Sequence, residues 1–175
     1  MKKDDRHPRV EMELHSGASQ RVLIIEAPYY KAVTDALIEG ATAVLDAQGV
    51  PYDRVPVPGA LEIPQVLAKA LDAGLFGDDE PGRYGGVIAL GCVIRGETSH
   101  YDIVVNNTNH WLMETAIRYS IPLGNGVLTV DTEPQALARA AGGANGKGGD
   151  AARACLRLMH LERHFAERHA GGDAS

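Results

Sequence analysis

Four stretches of this sequence carry residues whose types and spacing suit chemistry. The richest is Leu90-Gly91-Cys92-Val93-Ile94-Arg95-Gly96-Glu97-Thr98-Ser99-His100. Gly96, Glu97 and Thr98 follow an apolar run and precede a segment with helical spacing. Free N–H groups and the positive dipole end of such a helix start make an anion site. His100 falls in the first turn, where an imidazole can serve as an acid or a base. A second stretch is Val57-Pro58-Gly59-Ala60-Leu61-Glu62-Ile63-Pro64. There Gly59 lets backbone approach a ligand, Ala60 and Leu61 offer N–H groups, and Glu62 suits sugar-type hydroxyls. Tyr29 and Tyr30, after another apolar run, could stack on a flat heterocycle. The last stretch runs from Gly124-Asn125-Gly126 to Arg139, with Lys147 beyond it. Arg suits bidentate phosphate binding. Each feature has a plain structural alternative: tyrosines capping a sheet edge, Glu62 complementing a helix dipole, a structural histidine, an exposed helix cation.

The elements that must position these residues follow from apolar periodicity. The spacing predicts strands over 22–25, 52–57, 86–93 and 123–130. It predicts helices over 32–47, 62–73, 99–120, 132–141 and 151–169. Gly49 fits the position just past the first helix. Ser99 and Asp102 fit a capping box at the start of the third, and Pro122 forbids that helix from continuing. Residues 74–86 and 142–149 read as loops rich in glycine. Strict strand–helix alternation implies an α/β fold: a four-stranded parallel sheet with right-handed crossovers in a three-layer α/β/α sandwich. Ligands of such sheets sit beyond the carboxyl ends of the strands. Residues 1–20 and 171–175 read as tails around a single domain over 21–170. The helix from Ser99 carries Asn106, Asn107, Thr108 and Asn109 beside Trp111, a polar run that suits a subunit contact, a wet channel or a solvated face.

Composition narrows the partners. The 175 residues are 45% apolar and 23% charged, which excludes a wholly disordered chain. With 17 Lys+Arg against 23 Asp+Glu the net charge is −6, so no basic field draws the chain to nucleic acid. Cys92 and Cys155 give neither a disulfide framework nor a metal-ligand cluster. No apolar run reaches the ~18–20 residues of a membrane span, and no apolar signal core begins the chain, so the expectation is a cytoplasmic protein with no membrane partner.

Taken together, the stretches Val57–Pro64, Leu90–Asp102 and Gly126-Val127-Leu128-Thr129 with Arg139 ten residues on resemble the lumazine synthase family, in the right order across residues 20–165. The resemblance implies a flavodoxin-like topology and condensation of 5-amino-6-(D-ribitylamino)uracil with 3,4-dihydroxy-2-butanone 4-phosphate. The products are 6,7-dimethyl-8-ribityllumazine, phosphate and water, the penultimate step of riboflavin biosynthesis, with no metal or organic cofactor. It implies a homopentamer with active sites between adjacent subunits, and leaves open a decamer, a sixty-subunit shell and association with riboflavin synthase. By the same resemblance Tyr29 lies over the pyrimidine, Ala60, Leu61 and Glu62 hold the ribityl chain, and the backbone of Cys92, Val93 and Ile94 reads the pyrimidine edge. Glu97 and Thr98 form the phosphate turn, His100 is the acid/base residue, and Arg139 and Lys147 meet the phosphate. Asn125 stands where the family often has phenylalanine and makes a more polar pocket wall. That departure, with the altered 142–149 glycine spacing, leaves a lumazine- or flavin-binding homologue with little turnover as the alternative. A receiver module would need an acidic pair after the first strand and a flavodoxin-like electron carrier a hydroxyl-rich phosphate loop, and Ala27-Pro28-Tyr29-Tyr30 supplies neither.

Overall fold

The computed structural model describes residues 20–77 and 83–172. Four strands, β1 (Arg21–Glu26), β2 (Tyr52–Pro56), β3 (Tyr84–Ile94) and β4 (Leu123–Val130), pair in parallel in the order β2-β1-β3-β4. Between and after them run α1 (Lys31–Ala47), α2 (Ile63–Asp72), α3 (His100–Arg118), α4 (Glu133–Ala140) and α5 (Lys147–Gly172), with one-turn 3-10 segments at Ala60–Glu62 and Gly143–Asn145. Side chains alternate across the sheet because the strand period is two. Val22, Ile24, Ile88, Leu90, Cys92, Leu128 and Val130 pack under α1, α4 and α5. Leu23, Ile25, Val87, Ala89 and Leu123 pack under α2 and α3. The three-layer sandwich expected from alternation is therefore present, with each predicted strand and helix in place.

Several local readings change. At the end of α1, Gly49 takes φ +65 and donates to the Asp46 carbonyl, while Val50 donates to Leu45 at 3.0 Å, a Schellman stop as expected. Helix α3 ends the same way at Arg118, with Ser120 itself at φ +52 and Ile121 donating to Ala116 at 2.8 Å. Pro122 therefore follows a stop already made. No capping box forms at Ser99: its backbone is helical and its side chain caps nothing. Asp102 instead turns its carboxylate toward Arg95, 3.7 Å away, because a guanidinium is the stronger partner. Thr132 and Gln135 do form a capping box, at the start of α4. Helix α5 runs on through Gly172, since each added residue still closes a helical hydrogen bond. The tail readings at 1–19 and 173–175 lie outside the described residues, as does the 78–82 part of the 74–86 loop.

The glycine-rich 142–149 segment is a packing surface more than a loop, because α5 already begins at Lys147. A Cβ on Gly148 would overlap the Leu37 carbonyl of α1, and one on Gly149 the Ala144 carbonyl. A Cβ on Gly40 of α1 would stand 2.5 Å from the Gly143 carbonyl. Backbone thus meets backbone where α1 and α5 cross. No helix among the described residues is long and apolar enough to cross a membrane. Gly148→Ala should cost about 1–3 kcal/mol through overpacking and lower Tm by at least about 2 °C. An unchanged Tm in thermal denaturation would mean that the crossing is looser than described.

Candidate active site

Strand β3 outruns its neighbour on one side only. Pairing with β1 ends at Glu26↔Leu90, whereas pairing with β4 continues to Ile94↔Val130. Along β3, Val87 and Arg95 direct their peptide groups toward β4, and Leu90 toward β1. By that alternation Cys92 and Ile94 turn theirs to the side where β1 has already ended. The result is a step in the sheet, floored by β3 backbone that no strand of this sheet pairs.

Two loops border the step. Ala27 still donates to the Leu90 carbonyl at 2.9 Å, and the chain then lifts away into Tyr29, whose side chain is 71% exposed. Tyr30 meets Tyr29 edge-on at 5.1 Å between ring centres and packs on the core under α1. The two tyrosines thus divide the alternatives: Tyr30 caps the core and Tyr29 offers a free ring. The β2 loop begins with Val57, which donates to the Glu26 carbonyl at 2.8 Å. Ala60 is buried in the α2–α3 core and anchors the 3-10 turn beside α3. Leu61 and Glu62 are half-buried, and the Glu62 carboxylate folds back over Gly59. Beyond β3, Glu97, Thr98 and His100 are all exposed, so His100 is no core histidine. The Thr98 hydroxyl accepts from the His100 N–H at 3.4 Å.

The thiol of Cys92 lies under α1, away from the α2–α3 side. Burial, aided by the negative charge of Glu133, pushes it up to about 11, so it is a poor nucleophile and the strand end contributes backbone. Cys155, fully buried under α5, is pushed up to about 12 by burial. Among the described residues no three metal-ligating side chains gather.

Three of the expected site residues are not brought to His100 within one chain. Asn125 pairs with Ala89, five rungs short of the β3–β4 tip, which is roughly 16 Å along the strand. Its amide donates to Asn109 on α3 at 2.8 Å and its carbonyl accepts from the Val127 N–H. Arg139 is exposed near the far end of α4, and Lys147 begins α5 against the middle of α1. Lys147 pairs with Asp150 at 3.1 Å. Burial tends to raise the Asp150 carboxyl, but hydrogen bonds from Arg153 and Lys147 outweigh it and hold the group below its ordinary value.

The family model described as 6,7-dimethyl-8-ribityllumazine synthase matches residues 19–163. The chain belongs to that family. A 6,7-dimethyl-8-ribityllumazine synthase of Nitrobacter hamburgensis is 50% identical over 153 residues, covering 87% of this chain and 90% of that one. One of Azorhizobium caulinodans is 52% identical over 143 residues, 82% of this chain and 86% of its own. A protein of Rhizobium meliloti named 6,7-dimethyl-8-ribityllumazine synthase 1 is 51% identical over 145 residues, with 82% and 92% covered.

In this member of the 6,7-dimethyl-8-ribityllumazine synthase family, two further features border the step that sequence reasoning gave no role. Glu26, only 5% exposed at the end of β1, receives a two-pronged contact from Arg54 of β2 at 2.9 and 2.7 Å. That pair ties together the two strands whose loops carry Tyr29 and Ala60–Glu62. A polar residue closing the apolar run 22–25 was its sequence signal. Arg95, in the phosphate-turn motif, is the second. Gly96 has open space where a Cβ would go, and its backbone lies outside the left-handed region. The fold therefore gives no reason for glycine at 96. Gly96→Ala should keep stability within about 0.5 kcal/mol while raising KM for a phosphorylated substrate. Steady-state kinetics beside thermal denaturation checks this, and a variant that loses stability but not affinity would assign Gly96 to the fold.

Proposed function

We propose that this chain condenses 5-amino-6-(D-ribitylamino)uracil with 3,4-dihydroxy-2-butanone 4-phosphate, at a site shared by two adjacent subunits of a homopentamer. The family membership and the step floored by Cys92–Ile94 support the substrate pair. Tyr29 stacks on the pyrimidine, the Ala60–Glu62 turn holds the ribityl hydroxyls, and the strand-end backbone reads the pyrimidine edge. Glu97 and Thr98 lie at the phosphate end with His100 between the two reactants.

The observation that carries the shared site is the separation of Asn125, Arg139 and Lys147 from His100 in one chain. A neighbour can present all three from its own β4, α4 and α5. Helix α3 supports such an assembly. Only Thr108, Leu112, Thr115 and Ala116 of its 19 residues are buried. Ile103, Trp111, Met113 and Ile117 lie exposed on it, a patch that calls for cover. Its polar run is partly self-satisfied, since Asn107 and Asn109 donate to the carbonyls of Ile103 and Val105.

The reaction starts with the pyrimidine amine attacking the ketone, and loss of water leaves an imine. Loss of a proton and expulsion of phosphate then leave an enol that tautomerises to a ketone, and the ribitylamino nitrogen adds to that carbonyl with loss of a second water. Holding the reactants in register supplies much of the gain, since orientation effects reach ~7–11 kcal/mol. His100 moves protons at the forming bond, worth ~10²–10⁴-fold. The neighbour's Arg139 stabilises the phosphate as it leaves.

His100→Ala should lower turnover while positioning survives, and Arg139→Ala should mainly raise KM for the phosphorylated ketone. Mixed oligomers refolded from the two variants should exceed either parent, because some sites then join an intact His100 to an intact Arg139. Activity no better than the parents, or an 18.6 kDa monomer in light scattering, would contradict the shared site. Product formed no faster than in the uncatalysed reaction would leave a binding protein in its place.

A further inference from the structure

Arg95 is the first residue past the tip of β3, and the reaction above gives it no part. Its N–H donates to the Val130 carbonyl at 2.9 Å, the last rung between β3 and β4. Its guanidinium reaches three ways. Nε donates to Asp131 Oδ1 at 3.1 Å, just after β4. Nη1 stands 3.7 Å from Asp102 Oδ1 in the first turn of α3. Its central carbon lies 4.1 Å from the Tyr101 ring centre. The five residues between Arg95 and Tyr101 are Gly96, Glu97, Thr98, Ser99 and His100, all exposed.

We propose that Arg95 is a positioning residue: its grip on Asp131, Asp102 and Tyr101 fixes the turn 96–100 against the tip of β4, and so sets where Glu97, Thr98 and His100 stand. The inference rests on the functional reading of that turn. One cation facing two carboxylates leaves a net negative neighbourhood, which repels rather than recruits a phosphate. Each of these contacts is half-exposed and contributes little to global stability. Their loss should therefore loosen the turn and spare the fold. Lysine would keep the charge but not the planar fork that serves Asp131 and the ring together.

The test combines amide hydrogen exchange with steady-state kinetics on the intact oligomer. Arg95→Gln should speed exchange across 96–102 by about tenfold, leave β1 and β3 protected, and raise KM for the phosphorylated ketone by about tenfold with little change in KM for the pyrimidine. Arg95→Lys should not restore either. Asp131→Asn should shift both readouts in the same direction and add little to Arg95→Gln in the double variant. If Arg95 binds phosphate itself, Asp131→Asn frees the guanidinium and lowers that KM, which overturns the proposal. Unchanged exchange over 96–102 in Arg95→Gln, or in Asp131→Asn should the former fail to fold, overturns it too. A wild-type chain without turnover would sink the functional reading instead, and the exchange comparison would still decide the role of Arg95.

Discussion

The site depends on one unequal ladder. Strand β3 has β4 beside it to its last residue, but β1 leaves it at Leu90, four residues earlier. That offset exposes about 13 Å of strand edge, with peptide groups already ordered by pairing on the opposite side. Backbone donors and acceptors held so rigidly suit a flat heterocycle with alternating polar groups, and they ask nothing of the side chains. The same ladder explains why Cys92 can sit at such a place without chemistry of its own: its thiol belongs to the buried α1 side.

Everything else at the carboxyl ends is arranged around that step. The Glu26–Arg54 pair draws the β1 and β2 tips together, and Ala60 pins the following turn into the core between α2 and α3. Thr98 and Arg95 order the approach to α3, on which His100 is the first residue. The Thr98 and Arg95 contacts are exposed, so they shape their turn without contributing much to stability. The fold itself is secured elsewhere, above all where Gly40 and Gly148 let α1 meet the start of α5 and the 3-10 turn before it through backbone.

Much of this was legible from residue order. The apolar runs 22–25 and 86–93 announced strands covered on both faces, and Gly49 announced the end of α1 by the conformation only glycine adopts cheaply. What misled was local chemistry with a stronger distant partner. Asp102 looks like a capping carboxylate until Arg95, seven residues back, is seen beside it. The glycines of 142–149 look like a loop because nothing in their spacing reveals that α1 lies against them. The resemblance puts Asn125 in a pocket wall, yet its strand places it far below the tip of its own chain. Contacts made across the sheet, or across a subunit boundary, leave no periodic trace in the sequence.

On the proposed function, two copies of this chain complete each site. A crystal structure with a ribityl-bearing pyrimidine analogue and inorganic phosphate tests it most directly. The pyrimidine edge should lie on the Cys92–Ile94 backbone with the His100 imidazole facing it, and a phosphate between Thr98 of that subunit and Arg139 of the next. Ligand held wholly within one chain, or an imidazole turned away from both ligands, would contradict it.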